Sequence, residues 1–186
     1  RPMRTPQPTR TPIVIPPTVT STAAPLTLVS YHSPALGLTF DAPQGWTETA
    51  PPDLNPSDSN VAGVILYADA DDAANPSGRA GHPALLALRV VPGDYALDLA
   101  GEGPAALLVS LFAVAEENIQ PFDAAYPAAR VVIARPGGAS VAYALALGAD
   151  DWVVVSIVAP PGYNALELDQ QVLVPLVRSL VVSGEA

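Results

Sequence analysis

Leu38, Phe40 and Ala42 alternate with Thr39 and Asp41, the period of two expected of a β-strand with one buried face. A second short apolar run precedes it, and the two are separated by Ser-Pro-Ala-Leu-Gly, residues 33–37, so residues 26–46 read as a hairpin that Pro43 brings to a close. Residues 47–60 are rich in Pro, Asp, Asn and Ser and read as a surface loop. VAGVILYA (61–68) and PALLALRVV (83–91) follow as two mostly apolar strands, their continuous hydrophobicity placing them in the middle of a sheet. Three further strands are predicted at 130–134, 139–148 and 152–159. Short Arg-Pro-Gly-Gly and Gly-Ala-Asp-Asp turns make them antiparallel neighbours.

Two segments carry helical spacing instead. Gly103-Pro104 opens one that runs to about Asn118, with Pro at a first-turn position where no amide is wasted and a stripe of Leu107, Leu108, Leu111, Phe112 and Ala115. The second spans 165–182, with Asn164 as N-cap, Glu167 three residues on, and Leu168, Val172, Leu176 and Leu180 on one face. Pro175 lacks the amide for a bond to residue 171, so that helix is expected to kink or split. Strands, a helix, three meandering strands and a closing helix make an α+β domain built on a mainly antiparallel sheet.

The first 25 residues break the pattern. Prolines at 6, 8, 12, 16, 17 and 25, interleaved with Thr, favour extended polyproline II, and such a spacer reaches about 75 Å. The expected organisation is a disordered Pro/Thr tether over 1–25 and one domain over 26–186. A body of about 160 residues buries roughly 70% of its unfolded surface, so a single core suffices.

Charge sharpens the picture. The chain carries −10, and the tether's Arg1, Arg4 and Arg10 leave −13 on the body, a sign that repels phosphate backbones and anionic headgroups. All eight basic residues are Arg, which excludes Schiff-base chemistry and a P-loop lysine, and the lack of Cys excludes thiolate metal sites and catalytic thiols. No apolar run reaches the roughly 20 residues of a membrane helix. The tether and the Arg at position 1 lead us to expect an exported protein, its signal peptide removed, with a lipid anchor upstream of Arg1 and a location at the cell surface.

Tyr31, Gly37-Leu38 with Phe40, then Pro43, Gly45 and Trp46 resemble the opening hairpin of the PsbP-like superfamily. A strand opening on Trp152, the Ala-Pro-Pro-Gly-Tyr link at 159–163 and a helix closing on Arg178-Ser179-Leu180 resemble its far end. The resemblance covers roughly 26–182 and implies an α/β/α sandwich, a twisted antiparallel sheet covered by helices. It implies little about function: the superfamily holds a photosystem II extrinsic protein, a Ran-binding import factor and exported bacterial lipoproteins, and no residue here matches a partner-binding position.

Asp69, Asp71 and Asp72, with Asn75 and Ser77, offer hard oxygens of the kind Ca²⁺ takes, but the sixth position is Ala74 and no Glu closes the loop, so a solvated acidic loop is expected. Gly101, Gly103 and Ala106 have the spacing of a dinucleotide fingerprint that Glu102 and Pro104 spoil. His32 and His82, the two histidines, sit in no catalytic motif and read as surface residues. Glu116-Glu117 and Asp150-Asp151 are adjacent carboxylates that cannot face one another across a cleft, so both pairs are expected to be solvated. Trp46, Trp152, Tyr143 and Tyr163 read as core and rim aromatics. The expectation is therefore a non-enzymatic domain, with no catalytic, cofactor or metal residue assigned, that binds a protein partner or small ligand. The alternatives are an extracytoplasmic hydrolase assembled from carboxylates distant in sequence and a calcium-binding surface module.

Overall fold

Leu28–Ser33 (β1) and Leu38–Pro43 (β2) form the expected hairpin, paired antiparallel from Leu28 opposite Pro43 to Ser33 opposite Leu38. The computed structural model describes residues 25–52, 61–76, 81–90, 103–135 and 138–183, so the 1–25 tether, but for Pro25, and the 53–60 stretch lie outside the described residues. Leu38, Phe40 and Ala42 are all buried, as their alternation requires. The turn between the strands closes on Gly37. Its φ is +60°, and a Cβ there would stand 3.0 Å from Arg89 Nη1, so any side chain would strain the backbone and crowd the guanidinium.

The main sheet has seven strands. Thr47–Thr49 (β3), Val61–Tyr67 (β4) and Ala84–Val90 (β5) fill one side, and Ile119–Phe122 (β6), Ala128–Arg135 (β7), Gly138–Gly148 (β8) and Asp151–Ala159 (β9) meander back from the other. The order is β3-β4-β5-β9-β8-β7-β6, antiparallel at every pairing. The last strand thus closes against β5, with Ala84 opposite Val158 and Val90 opposite Trp152.

Among the described residues, four helices accompany the strands: Ala70–Ala74 (α1), Gly103–Phe112 (α2), Ala165–Leu168 (α3) and Val174–Ser179 (α4). Leu107 and Leu108 of α2 cover the sheet face that carries Val131, Ala142, Ala144, Trp152 and Val154. The opposite face, with Val141, Tyr143, Leu145, Val155 and Ile157, packs under α3, α4 and the β1–β2 hairpin. Val181–Val182 (β10) then pairs with β2, so the chain ends by completing a small sheet of order β1-β2-β10. The architecture is α+β, with an antiparallel sheet covered on both faces.

Several boundaries differ from the sequence expectation. Part of the 47–60 loop is strand β3, and part of the polar stretch after β4 is α1. The helix expected to reach Asn118 stops at Phe112, where Ala113 turns into the left-handed region (φ 51°), and a 3₁₀ turn at Glu116–Asn118 leads into β6. Leu111, expected on the buried stripe, is 48% exposed. The closing helix ends at Ser179, because Leu180 takes an extended backbone that lets β10 pair. Its predicted interruption is present. Between α3 and α4 lies a π-turn, Asp169–Leu173, in which the Val174 amide donates to the Asp169 carbonyl, just ahead of the missing Pro175 donor.

The extra residue of that turn directs Asp169 inward. The carboxylate is completely buried: its Oδ2 accepts from Arg130 Nε at 3.0 Å and Nη2 at 2.6 Å, and its Oδ1 accepts from the Tyr143 hydroxyl at 2.8 Å. Burial, then the bond to Asp169, raises the Tyr143 pKa well above its ordinary value, so the phenol keeps its proton and donates. A second ion pair lies within the main sheet, and its arginine also reaches the hairpin. Arg89 of β5 grips Asp151 of β9 with Nε and Nη2 at 2.9 and 2.6 Å, while Nη1 donates to the Leu36 carbonyl at 2.7 Å.

Two stability predictions follow from this packing. Replacing Leu108, fully buried beneath α2, by Ala should cost about 2–5 kcal/mol in urea unfolding; a loss of a few tenths would mean α2 is not a structural layer. Asp169→Ala strips the half-buried Arg130 of its partner and removes the buried carboxylate that Tyr143 also bonds, and should cost about 3–5 kcal/mol. An unchanged midpoint would contradict the role given to this carboxylate.

Candidate functional site

The densest convergence of metal-ligating side chains among the described residues lies where β4 leaves the main sheet and β5 enters it. The two strands are fastened here, the Ala68 amide donating to the Pro83 carbonyl at 3.1 Å. Asp69 is the N-cap of α1: its Oδ1 accepts from the amides of Asp71 at 2.9 Å and Asp72 at 3.3 Å. Asp72 turns the other way, toward residues 81 and 82. It accepts the Gly81 amide on both oxygens, at 3.2 and 3.1 Å, and the His82 amide at 2.9 Å. Its Oδ2 also lies 3.1 Å from His82 Nδ1.

These donors act on the Asp72 charge. The Gly81 amide first, then the amide and ring of His82, pull its pKa below the ordinary 3.8 against the effect of desolvation. The imidazole is half exposed, with Tyr163 at its edge and ring centroids 6.4 Å apart. One ligand atom from each of Asp69, Asp72 and His82 falls within 4.8 Å of the others. Two carboxylates and one imidazole are donors suited to a divalent transition metal.

The expectation of a solvated acidic loop is therefore corrected. Asp69 and Asp72 cap and clamp the segment; Asp71 is the exposed member, Asn75 is the C-cap of α1, and Ser77 lies outside the described residues. His82 is exposed, as expected, and is in addition hydrogen-bonded to a carboxylate. The sequence showed the three aspartates and the histidine separately, and no spacing rule joins a helix cap to a residue thirteen positions on.

The remaining candidates are dispersed. His32 is exposed on β1, with Nδ1 3.2 Å from Thr39 Oγ1 and 3.1 Å from Ser183 Oγ, a polar triangle formed when β10 returns to β2. Glu116 and Glu117 are exposed in their 3₁₀ turn. Asp150 is exposed too, but Asp151 is held by Arg89, so that pair is not solvated as expected: the turn ends at Asp150 and the next residue begins β9 beside β5. Gly103 opens α2 at φ +83°, Ala106 lies within that helix, and Gly101 lies outside the described residues. Tyr143 and Trp152 are core, Trp46 packs half-buried against the core, and Tyr163 is 41% exposed.

The lowered Asp72 pKa sets a pH dependence. A carboxyl whose folded pKa is depressed stabilises the fold above its unfolded value and loses that contribution as pH falls through the folded one. Asp72→Asn should therefore melt below the parent near neutrality, and the gap should close below about pH 4. A gap of constant size down to strong acid would refute the clamp.

No protein family matches the sequence, and no curated protein does. Among solved structures, the chain is similar to a crystal structure from Bacteroides thetaiotaomicron VPI-5482, at 12% identity and a TM-score of 0.46. The match covers 84% of this chain and 48% of that one, so the chain spans about half the length of that structure.

Proposed function

We propose that the body is a PsbP-like binding domain, not an enzyme, and that the Pro/Thr tract presents it outside the cytoplasm at the cell surface. One observation carries the reading. The buried carboxylate Asp169 is committed to Arg130 and Tyr143, and the partly buried Asp151 is committed to Arg89. Groups held this way fasten layers together and are not poised to exchange protons with a substrate. The superfamily reading is supported by the opening hairpin with Phe40 in the core and Trp46 packed against it, and by helices on both faces of the sheet. No helix among the described residues is long and apolar enough to cross a membrane.

The partner is a protein or small ligand of cationic or neutral character, because the body's charge of −13 opposes phosphate and acidic surfaces. Location and activity are tested together on cells that make the full chain. Trypsin added to intact cells should cut after Arg4 or Arg10 and release the body, and the purified chain should turn over no ester, glycoside or phosphoester while crosslinking to an envelope component. A chain protected until lysis would overturn the location. Saturable turnover abolished by a single carboxylate substitution would instead establish the hydrolase.

A further inference from the structure

We propose that Asp69, Asp72 and His82 bind one divalent transition metal ion of borderline softness, of which Zn²⁺ is the type. This goes beyond the partner-binding reading and does not depend on it. The donor set decides the class of ion. Ca²⁺ takes six to eight oxygens, whereas a mixed site of imidazole and carboxylates is what Zn²⁺ and its neighbours accept, with a remaining position left to water.

The geometry is that of ligands sharing an ion. Two donors each about 2.1 Å from a metal stand about 3 Å apart at an octahedral angle and about 3.4 Å apart at a tetrahedral one, and His82 Nδ1 and Asp72 Oδ2 are separated by 3.1 Å. The third donor is close by: Asp69 makes its cap bonds through Oδ1, and one of its carboxylate oxygens lies within the same 4.8 Å span. Nδ1 offers its lone pair to the ion in the tautomer that carries the ring proton on Nε2. The donors are also held in place. The Gly81 and His82 amides fix the Asp72 carboxylate, the α1 amides fix Asp69, and the Tyr163 ring lies at the edge of His82. The half-exposed His82 gives the ion a path in.

The composition makes the test clean. There are two histidines and no cysteine, so His32 is an internal control and no thiol competes. Zn²⁺ is titrated into the full chain while both imidazoles are followed by ¹H–¹⁵N NMR. The proposal expects saturable perturbation of His82 at one ion per chain, His32 unmoved, a rise in melting temperature, and no response to Ca²⁺. His82→Gln and Asp72→Asn should each weaken binding about tenfold or more. If Asp72→Asn does not fold, His82→Gln, which alters a half-exposed side chain, decides alone. Equal responses of both histidines, no saturation at His82, or unchanged affinity in His82→Gln would overturn the proposal.

Discussion

A carboxylate with no solvent exposure is tolerable only if its charge and lone pairs are answered on the spot, and the position of Asp169 governs how the layers are stacked. Stripping water from an ion costs several kcal/mol, so the partners must be close and well aligned. They come from two adjacent strands: Arg130 on β7 and Tyr143 on β8. To meet both, the closing helix must present Asp169 toward the sheet, and the π-turn does this by inserting one residue into the helical register. The same insertion brings Val172 and Leu173, then Leu176 and Val177, onto the buried side. Sliding or rotating the helix would strip three hydrogen bonds from a buried ion. Its end is thereby fixed where Val181 and Val182 can pair with β2.

Arg89 plays the corresponding part between the two sheets. Its fork holds the first residue of β9 against β5, and its remaining nitrogen reaches the carbonyl of Leu36 in the β1–β2 turn. One side chain thus joins the hairpin that opens the domain to the strand that closes the main sheet. Both staples span long stretches of chain, 62 residues for Arg89 with Asp151 and 39 for Arg130 with Asp169. Pairings of such separation cost more loop-closure entropy than the short turns of the β7–β8–β9 meander.

What was legible in the sequence follows from range. The β1–β2 hairpin, the long strands β8 and β9 and the break near Pro175 declare themselves through alternation, turn residues and a missing amide, all within a few positions. Strands β3 and β6 do not. Thr-Glu-Thr and Ile-Gln-Pro-Phe are too short to show a period, and they are ordered by a neighbour at the edge of the sheet. Helix α1 is five residues long, below any detectable periodicity, and α2 stops at an alanine with positive φ where no Gly or Pro marks the end. The candidate site failed to appear for the same reason: the aspartates and His82 were each visible, and only the docking of β4 beside β5 makes them neighbours.

Net charge sets the outward character of the domain. Of eight arginines, three belong to the first 25 residues, and Arg89 and Arg130 are neutralised by Asp151 and Asp169. Arg178 remains exposed, with its guanidinium carbon 5.7 Å from the centre of the Phe122 ring. Because each internal pair removes one charge of either sign, the body's excess of thirteen negative charges is borne by its surface carboxylates. Cations and cationic surfaces are drawn to such a field before any contact forms, while phosphate is turned away. The internal pairs add no net charge, so the excess of acidic over basic residues in the body is what narrows the chemistry of whatever the domain meets.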